Sequence, residues 1–226
     1  MQFTKSTLDI AVEDITRALQ KALSNGSPVL WLVSGGSAVP TQVAVMRQLS
    51  QNTPEVLANL TVIPVDERYG DPGHAASNSE QMRQAGFTPG AATWVDVLSE
   101  ASTMSETLER YEALVEDSFA QAKTVIATFG LGADGHTAGV LPDSPAVLDS
   151  TATVIGYDWS DYTRLTLGLA QLQHIDQAFV LAYGEAKCPA LQRLHDNQES
   201  LSSLPASVLY DISTVTVYND CIMSEG

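Results

Sequence analysis

The run Thr124-Val125-Ile126-Ala127-Thr128-Phe129, followed by Gly130-Leu131-Gly132-Ala133-Asp134-Gly135-His136-Thr137-Ala138, decides the fold of this chain. Six consecutive apolar or β-branched residues read as a buried strand, and the glycines behind them read as a tight loop. Gly130, Gly132 and Gly135 fit the G-x-G-x-x-G pattern of a dinucleotide-binding turn, which requires a helix of useful length directly afterwards. Pro142 and Pro145 interrupt the chain before such a helix can form, so the dinucleotide reading is rejected. What remains is a carboxylate and an imidazole two residues apart, Asp134 and His136, at a strand end. A lone histidine is more often a structural cap, but flanking glycines and a strand-end position favour proton-transfer chemistry here.

Outward from this strand, apolar runs alternate with helical periods. Val29 to Val33, Thr61 to Val65 and Ile175 to Tyr183 read as core strands, and Thr153 to Tyr157, Arg164 to Leu167 and Thr214 to Tyr218 as shorter ones. Leu8, Val12, Ile15, Leu19 and Leu23 recur at helical spacing behind a Ser6-x-x-Asp9 cap. Met104, Leu108, Tyr111, Val115, Phe119 and Ala122 do so behind Thr103-x-x-Glu106. Thr41 to Leu49 and Glu185 to Leu194 suit two further helices. Such alternation predicts an α/β fold, a three-layer, Rossmann-like, mostly parallel sheet with helices on both faces. No internal repeat or long linker divides the chain, so residues 1–226 read as one domain.

A content of 44% hydrophobic and 17% charged residues is that of a soluble globular protein, and no apolar run is long enough to span a bilayer. Met1-Gln2-Phe3-Thr4 lacks the basic segment of a signal peptide. Cys188 and Cys221 have neither CxxC nor finger spacing, so they predict no disulfide framework and no zinc site, and a reducing, cytoplasmic location. No H-E-x-x-H or similar spacing predicts another metal site. The net charge of −16 excludes nucleic acid and anionic membranes as partners. It does not exclude an anionic small substrate, because exposed charges are screened beyond about 8 Å and only cations inside a pocket act on it.

Three further segments follow strands, where open parallel sheets assemble their sites. Ser34-Gly35-Gly36-Ser37 exposes backbone N–H groups that can cradle a phosphate, or is a plain strand-to-helix turn. It is no Walker A loop, and Leu32 excludes a nucleophile elbow. Asp66-Glu67-Arg68-Tyr69, with Ser77-Asn78 beyond it, concentrates charge at a strand mouth. Arg164 starts a strand and Lys187 follows one. As surface ion pairs they would matter little; pointing into a pocket, each could contribute about 1.5–3 kcal/mol to holding a phosphate.

Taken in order, Val33-Ser34-Gly35-Gly36-Ser37, Val65-Asp66-Glu67-Arg68-Tyr69 with Ser77-Asn78, the Gly130 to Ala138 loop, Arg164-Leu165-Thr166-Leu167 and Gly184-Glu185-Ala186-Lys187 resemble the 6-phosphogluconolactonase family. That family lies within the wider group containing glucosamine-6-phosphate deaminases, and the resemblance runs over nearly the whole chain. Arg68 matches the lactonase Asp-Glu-Arg, and Val140-Leu141-Pro142 stands where deaminases carry Asn-Glu-Pro with its extra carboxylate. Two departures are visible. One more residue than usual precedes Pro40, which predicts a reshaped phosphate loop or helix start, and Gly139 replaces a customary serine.

The resemblance implies hydrolysis of 6-phospho-D-glucono-1,5-lactone to 6-phospho-D-gluconate, in the oxidative pentose phosphate pathway. His136 would act as general base and then acid, Asp134 would orient its ring, and Asp66 is the competing carboxylate. Arg68 would face the developing oxyanion or the substrate hydroxyls, while Ser34, Gly35, Gly36, Ser37, Arg164 and Lys187 hold the phosphate. No metal or organic cofactor is implied, because an ester carbonyl is already electrophilic. A monomer or weak homodimer acting on a small sugar phosphate is the expected state. The alternatives are a glucosamine-6-phosphate deaminase or isomerase, and a non-enzymatic sugar-phosphate-binding domain. Binding domains of the second kind usually carry a DNA-reading segment, which this acidic chain does not suggest.

Overall fold

Strand β2 (Val29–Val33) is buried along its whole length, and its successive side chains enter different cores. Val29, Trp31 and Val33 join one apolar cluster, Leu30 and Leu32 the other. A sheet whose central strand is apolar on both faces must be covered on both. The computed structural model describes residues 1–100, 102–160 and 162–221 and meets that requirement.

In chain order the elements are β1 (Gln2–Lys5), α1 (Leu8–Leu23), β2, α2 (Val39–Asn52), β3 (Leu60–Pro64), β4 (Asp66–Arg68), α3 (Asn78–Gln84), β5 (Thr93–Trp94), α4 (Met104–Gln121), β6 (Thr124–Gly130), α5 (Pro145–Leu148), β7 (Val154–Trp159), β8 (Tyr162–Leu167), α6 (Leu169–Leu172), β9 (Gln177–Ala182), α7 (Cys188–Asp196) and β10 (Thr214–Asn219). Seven strands form one sheet in the order β1-β10-β9-β6-β2-β3-β5, every pairing parallel. Helices α1 and α2 bury Ile15, Leu19, Val45 and Met46 on one face. Helices α4 and α7 bury Tyr111, Val115, Leu191 and Leu194 on the other.

Every strand expected from the sequence forms, Val29–Val33 with the expected ends and the others with ends shifted. The capping box at Thr103 and Glu106 is present, the hydroxyl accepting from Glu106 N–H at 3.3 Å and the carboxylate from Thr103 N–H at 2.9 Å. The expected cap of α1 is corrected: Thr7, not Ser6, occupies the N-cap, without a side-chain cap bond, and Ser6 Oγ instead meets the Tyr183 hydroxyl at 3.3 Å. The expected Glu185 to Leu194 helix is a 3₁₀ turn over Glu185–Lys187 followed by α7.

Two features run against the sequence reading. Asp66, Glu67 and Arg68 do not simply end the core strand; they leave the main sheet and pair antiparallel with β8, which forms a second, three-stranded sheet with β7. Its residues Val154, Tyr157, Leu165 and Leu167 pack into the same core as α4. Cys188 and Cys221, expected to be unpaired, form a disulfide with a Cα–Cα distance of 5.8 Å. The reason is topological: β10 lies parallel beside β9 with Asn219 opposite Ala182, so the segments leaving both strands emerge as neighbours. Closing a loop of this size predicts that reduction costs about 2–4 kcal/mol of unfolding free energy. Denaturant unfolding with and without a thiol reductant measures it, and coincident midpoints would show the bridge contributes nothing. No helix among the described residues is long and apolar enough to cross a membrane.

Candidate active site

From β2 the chain moves to β3 on one side, then returns through α4 to β6 on the other. Loops leaving the carboxyl ends of β2 and β6 therefore diverge, and a crevice opens between them. Register aligns the strand ends, with Val33 opposite both Pro64 and Thr128, and Gly130 opposite Leu181. The resulting cavity of about 280 Å³ is lined by Ser34, Gly35, Gly36 and Ser37, by Asp66 and Arg68, by Gly130, Leu131, Gly132, His136 and Ala138, and by Lys187. Four distant segments thus meet in one place, as expected.

The Ser34 loop is held from behind. Ser34 N–H donates to Gln42 Oε1 at 2.8 Å, and Gln42 Nε2 donates to the Ser34 carbonyl at 2.6 Å. Both backbone groups of Ser34 are satisfied, while its buried Oγ has no hydrogen-bond partner among the described residues. Arg68 Nε is in the same condition. Buried polar atoms are rarely left so, and both of these belong to residues that line the cavity. The extra residue before Pro40 is absorbed by a 3₁₀ turn over Gly36–Ala38, after which α2 begins with the proline in its first turn. Gly36, at φ +63°, takes the left-handed conformation this turn needs. Gln42 went unnoticed in the sequence, because a polar residue inside a helical period reads as a solvated position.

Asp134 and His136 form a pair. His136 Nδ1 lies 2.6 Å from Asp134 Oδ1, and the same oxygen accepts from His136 N–H at 3.1 Å. The hydrogen bond to His136 pulls the Asp134 carboxyl down to about 2, so it is ionised wherever the imidazole works. With Nδ1 occupied, Nε2 is the nitrogen left for the cavity. Gly132 N–H donates to the His136 carbonyl at 2.9 Å, folding the loop over the pair. A Cβ at position 132 would overlap His136 Nδ1 and stand 2.5 Å from Asp134 Oδ1. Gly132→Ala is therefore expected to lower kcat about tenfold or more with the fold kept. Steady-state kinetics beside circular dichroism checks this; unchanged kcat would show that the pair does not matter.

Gly139, where the resemblance led to a serine, is explained by space. A Cβ there would stand 2.8 Å from Thr166 Cβ and 3.0 Å from Asp66 Cβ. Its N–H donates to Thr166 Oγ1 at 3.1 Å, so the loop rests on the β4–β8 pair.

Lys187 reaches across the crevice, donating from Nζ to Ser37 Oγ at 2.6 Å. Burial pulls its ammonium below the ordinary lysine value, against Asp220, which pulls the other way. An under-solvated cation beside a glycine-rich turn is suited to an anion. The two expected phosphate cations are not equivalent. Arg164 lies opposite Arg68 in the β4–β8 pairing and is not among the residues lining the cavity. Asp134 also stays off the wall, behind His136. Asn78, quoted in the sequence pattern without a role, joins β4 from α3: its Nδ2 donates to Asp66 Oδ2 at 3.1 Å.

Over residues 4–218 the chain matches the family described as glucosamine-6-phosphate isomerases/6-phosphogluconolactonase. It is 28% identical over 183 residues to a 6-phosphogluconolactonase of Neisseria meningitidis, covering 76% of this chain and 77% of that protein. Its fold is similar to the crystal structure of a 6-phosphogluconolactonase from Shewanella baltica, with a TM-score of 0.80 at 19% identity over 97% of both chains. It is nearly as close to a monomeric glucosamine-6-phosphate deaminase, with a TM-score of 0.79 at 21% identity over 97% of both.

Proposed function

The chain belongs to the family of glucosamine-6-phosphate isomerases and 6-phosphogluconolactonases, and from that premise we propose that it hydrolyses 6-phospho-D-glucono-1,5-lactone to 6-phospho-D-gluconate. The observation that carries this reading is the single cavity that gathers Asp66, Arg68 and His136 with Lys187 and the Ser34 loop. Arg68 and the buried Leu141 favour the lactonase over the deaminase, since Val140-Leu141-Pro142 offers no carboxylate in place of Asn-Glu-Pro.

His136 Nε2 takes a proton from water as its oxygen bonds to C1, with Asp134 holding the imidazolium. Arg68 faces the oxyanion that forms on the carbonyl oxygen. As the C1–ring oxygen bond breaks, the imidazolium returns its proton to the ring oxygen, and the new acid loses its own to solvent. Asp66, the competing carboxylate, lines the cavity and is bonded to Asn78, while Asp134 is the carboxylate on the imidazole. Lys187 and the Ser34, Gly35, Gly36 and Ser37 turn hold the phosphate, which positions the lactone. Arg164, opposite Arg68 on the neighbouring strand and off the cavity wall, adds positive charge at longer range without gripping the phosphate itself. A monomer or weak homodimer and a cytoplasmic location belong to the same proposal; the location rests on the sugar-phosphate substrate and not on the cysteines, which pair with each other.

The test is a coupled assay with freshly made 6-phosphogluconolactone at low buffer concentration and short times. A rate above spontaneous ring opening, proportional to protein, is the expected result. No acceleration would overturn the reading. Ammonia release from glucosamine 6-phosphate would replace it by the deaminase.

A further inference from the structure

Asp66 and Arg68 are two residues apart on one strand, so both side chains project to the same face and nothing in the backbone keeps opposite charges from meeting. Asn78, 1% exposed, stands between them. Its Nδ2 donates to the Asp66 carbonyl at 2.9 Å and to the Asp66 carboxylate at 3.1 Å, while its Oδ1 accepts from Arg68 Nη1. A Cβ at Gly35 would overlap that same Oδ1, so the amide also backs the Ser34 loop. Asn78 therefore touches three cavity-lining residues without lining the cavity itself.

Glu67 fixes it there. Its fully buried carboxylate accepts from the N–H groups of Arg68 at 2.8 Å, Asn78 at 2.6 Å and Ser79 at 3.0 Å, and from the Ser77 hydroxyl at 3.0 Å. A buried charge satisfied this completely is costly to displace, so the start of α3 is locked to β4. An amide is the small side chain that presents a donor and an acceptor at one end without charge. A carboxylate in its place would bind Arg68 and repel Asp66; no side chain at all would leave the two charges to pair with each other.

We propose that Asn78 is a positioning residue that holds the Asp66 carboxylate and the Arg68 guanidinium apart, as two separate charges presented to the substrate. The proposal takes its substrate from the lactonase reading, but its geometry does not depend on it.

A double-mutant cycle with Asn78→Ala and Arg68→Ala tests it. Asn78→Ala is expected to lower kcat about tenfold or more, with KM for the lactone changed less than about threefold. Calorimetry with 6-phosphogluconate should retain one site per chain. In the Arg68→Ala background the same substitution should cost less than about twofold, because the residue acts through Arg68. Ser77→Ala removes a Glu67 contact and the α3 cap but touches neither charge. It should lower the unfolding midpoint and leave kcat within about twofold. Losses that multiply in the double variant would overturn the proposal. A crystal structure of Asn78→Ala should show the Arg68 guanidinium paired with the Asp66 carboxylate; the two groups remaining apart would overturn it whatever the enzyme's substrate. If Asn78→Ala does not fold, Asn78→Asp serves, with Arg68 expected on the new carboxylate. An inactive wild type would count against the lactonase reading alone, since the crystallographic arm is read without turnover.

Discussion

His136→Ala lowers kcat by about two to four orders of magnitude and leaves the affinity for 6-phosphogluconate within about threefold. The size follows from the number of proton transfers one imidazole serves, taking a proton from water and giving it to the ring oxygen. Affinity is spared because in the proposed mode the phosphate is held on another wall, where Lys187 meets the Ser34 loop. Stopped-flow kinetics on fresh lactone, beside calorimetry with the product, separates the two quantities. Unchanged kcat would remove His136 from the chemistry, and a parallel loss of affinity would make it a binding residue. The carboxylate behind the ring sets a further constraint. The Asp134 carboxyl is held at about 2, against an ordinary 3.8, so it protonates only in strong acid. Its stabilising effect on the loop is present above the ordinary value and is lost as pH falls toward 2. Loss of activity on acidification above pH 4 therefore belongs to another group.

Lys187→Ala raises KM for the lactone about 10–100-fold with kcat held within a few-fold. A charge-assisted contact to phosphate is worth about 1.5–3 kcal/mol, and the other cation lining the cavity, Arg68, is already held by Asn78 and the Ala76 carbonyl. Its half-buried ammonium is incompletely solvated, so little hydration is lost when phosphate arrives. Arg164→Ala should raise KM less, because Arg164 stands in the second sheet and off the cavity wall. Lactone saturation curves for the two variants rank them. Equal effects would return Arg164 to the grip, and no effect of Lys187→Ala would place the phosphate elsewhere.

Much of this architecture was legible in the chain because the central parallel strands β2, β3, β6 and β9 are buried on both faces and so read as nearly continuous apolar runs, whereas the half-exposed edge strands β1 and β5 gave no such signal. Val29–Val33 and Thr124–Gly130 are examples, and the loops behind them carry the site. Thr103 and Glu106 announced α4 through local chemistry alone. What escaped was set by partners distant in sequence. Asp66 to Arg68 looks like a frayed strand end until β8 is known to pair with it. Cys188 and Cys221 meet only because β10 inserts beside β9. Arg164 carries the same charge in either sheet, so composition could not tell wall from support. Asn78 stood in the sequence pattern without a role and Gln42 went unnoticed inside a helical period, yet both are buried and bonded to backbone groups of the site.

A crystal structure with 6-phosphogluconate bound decides whether these segments act together. The phosphate should lie within hydrogen-bond distance of Lys187 Nζ and the Gly35–Gly36 backbone, with the C1 carboxylate beside Arg68 and facing His136 Nε2. A product seated outside this crevice, or seated in it with C1 turned away from the imidazole, would contradict the account.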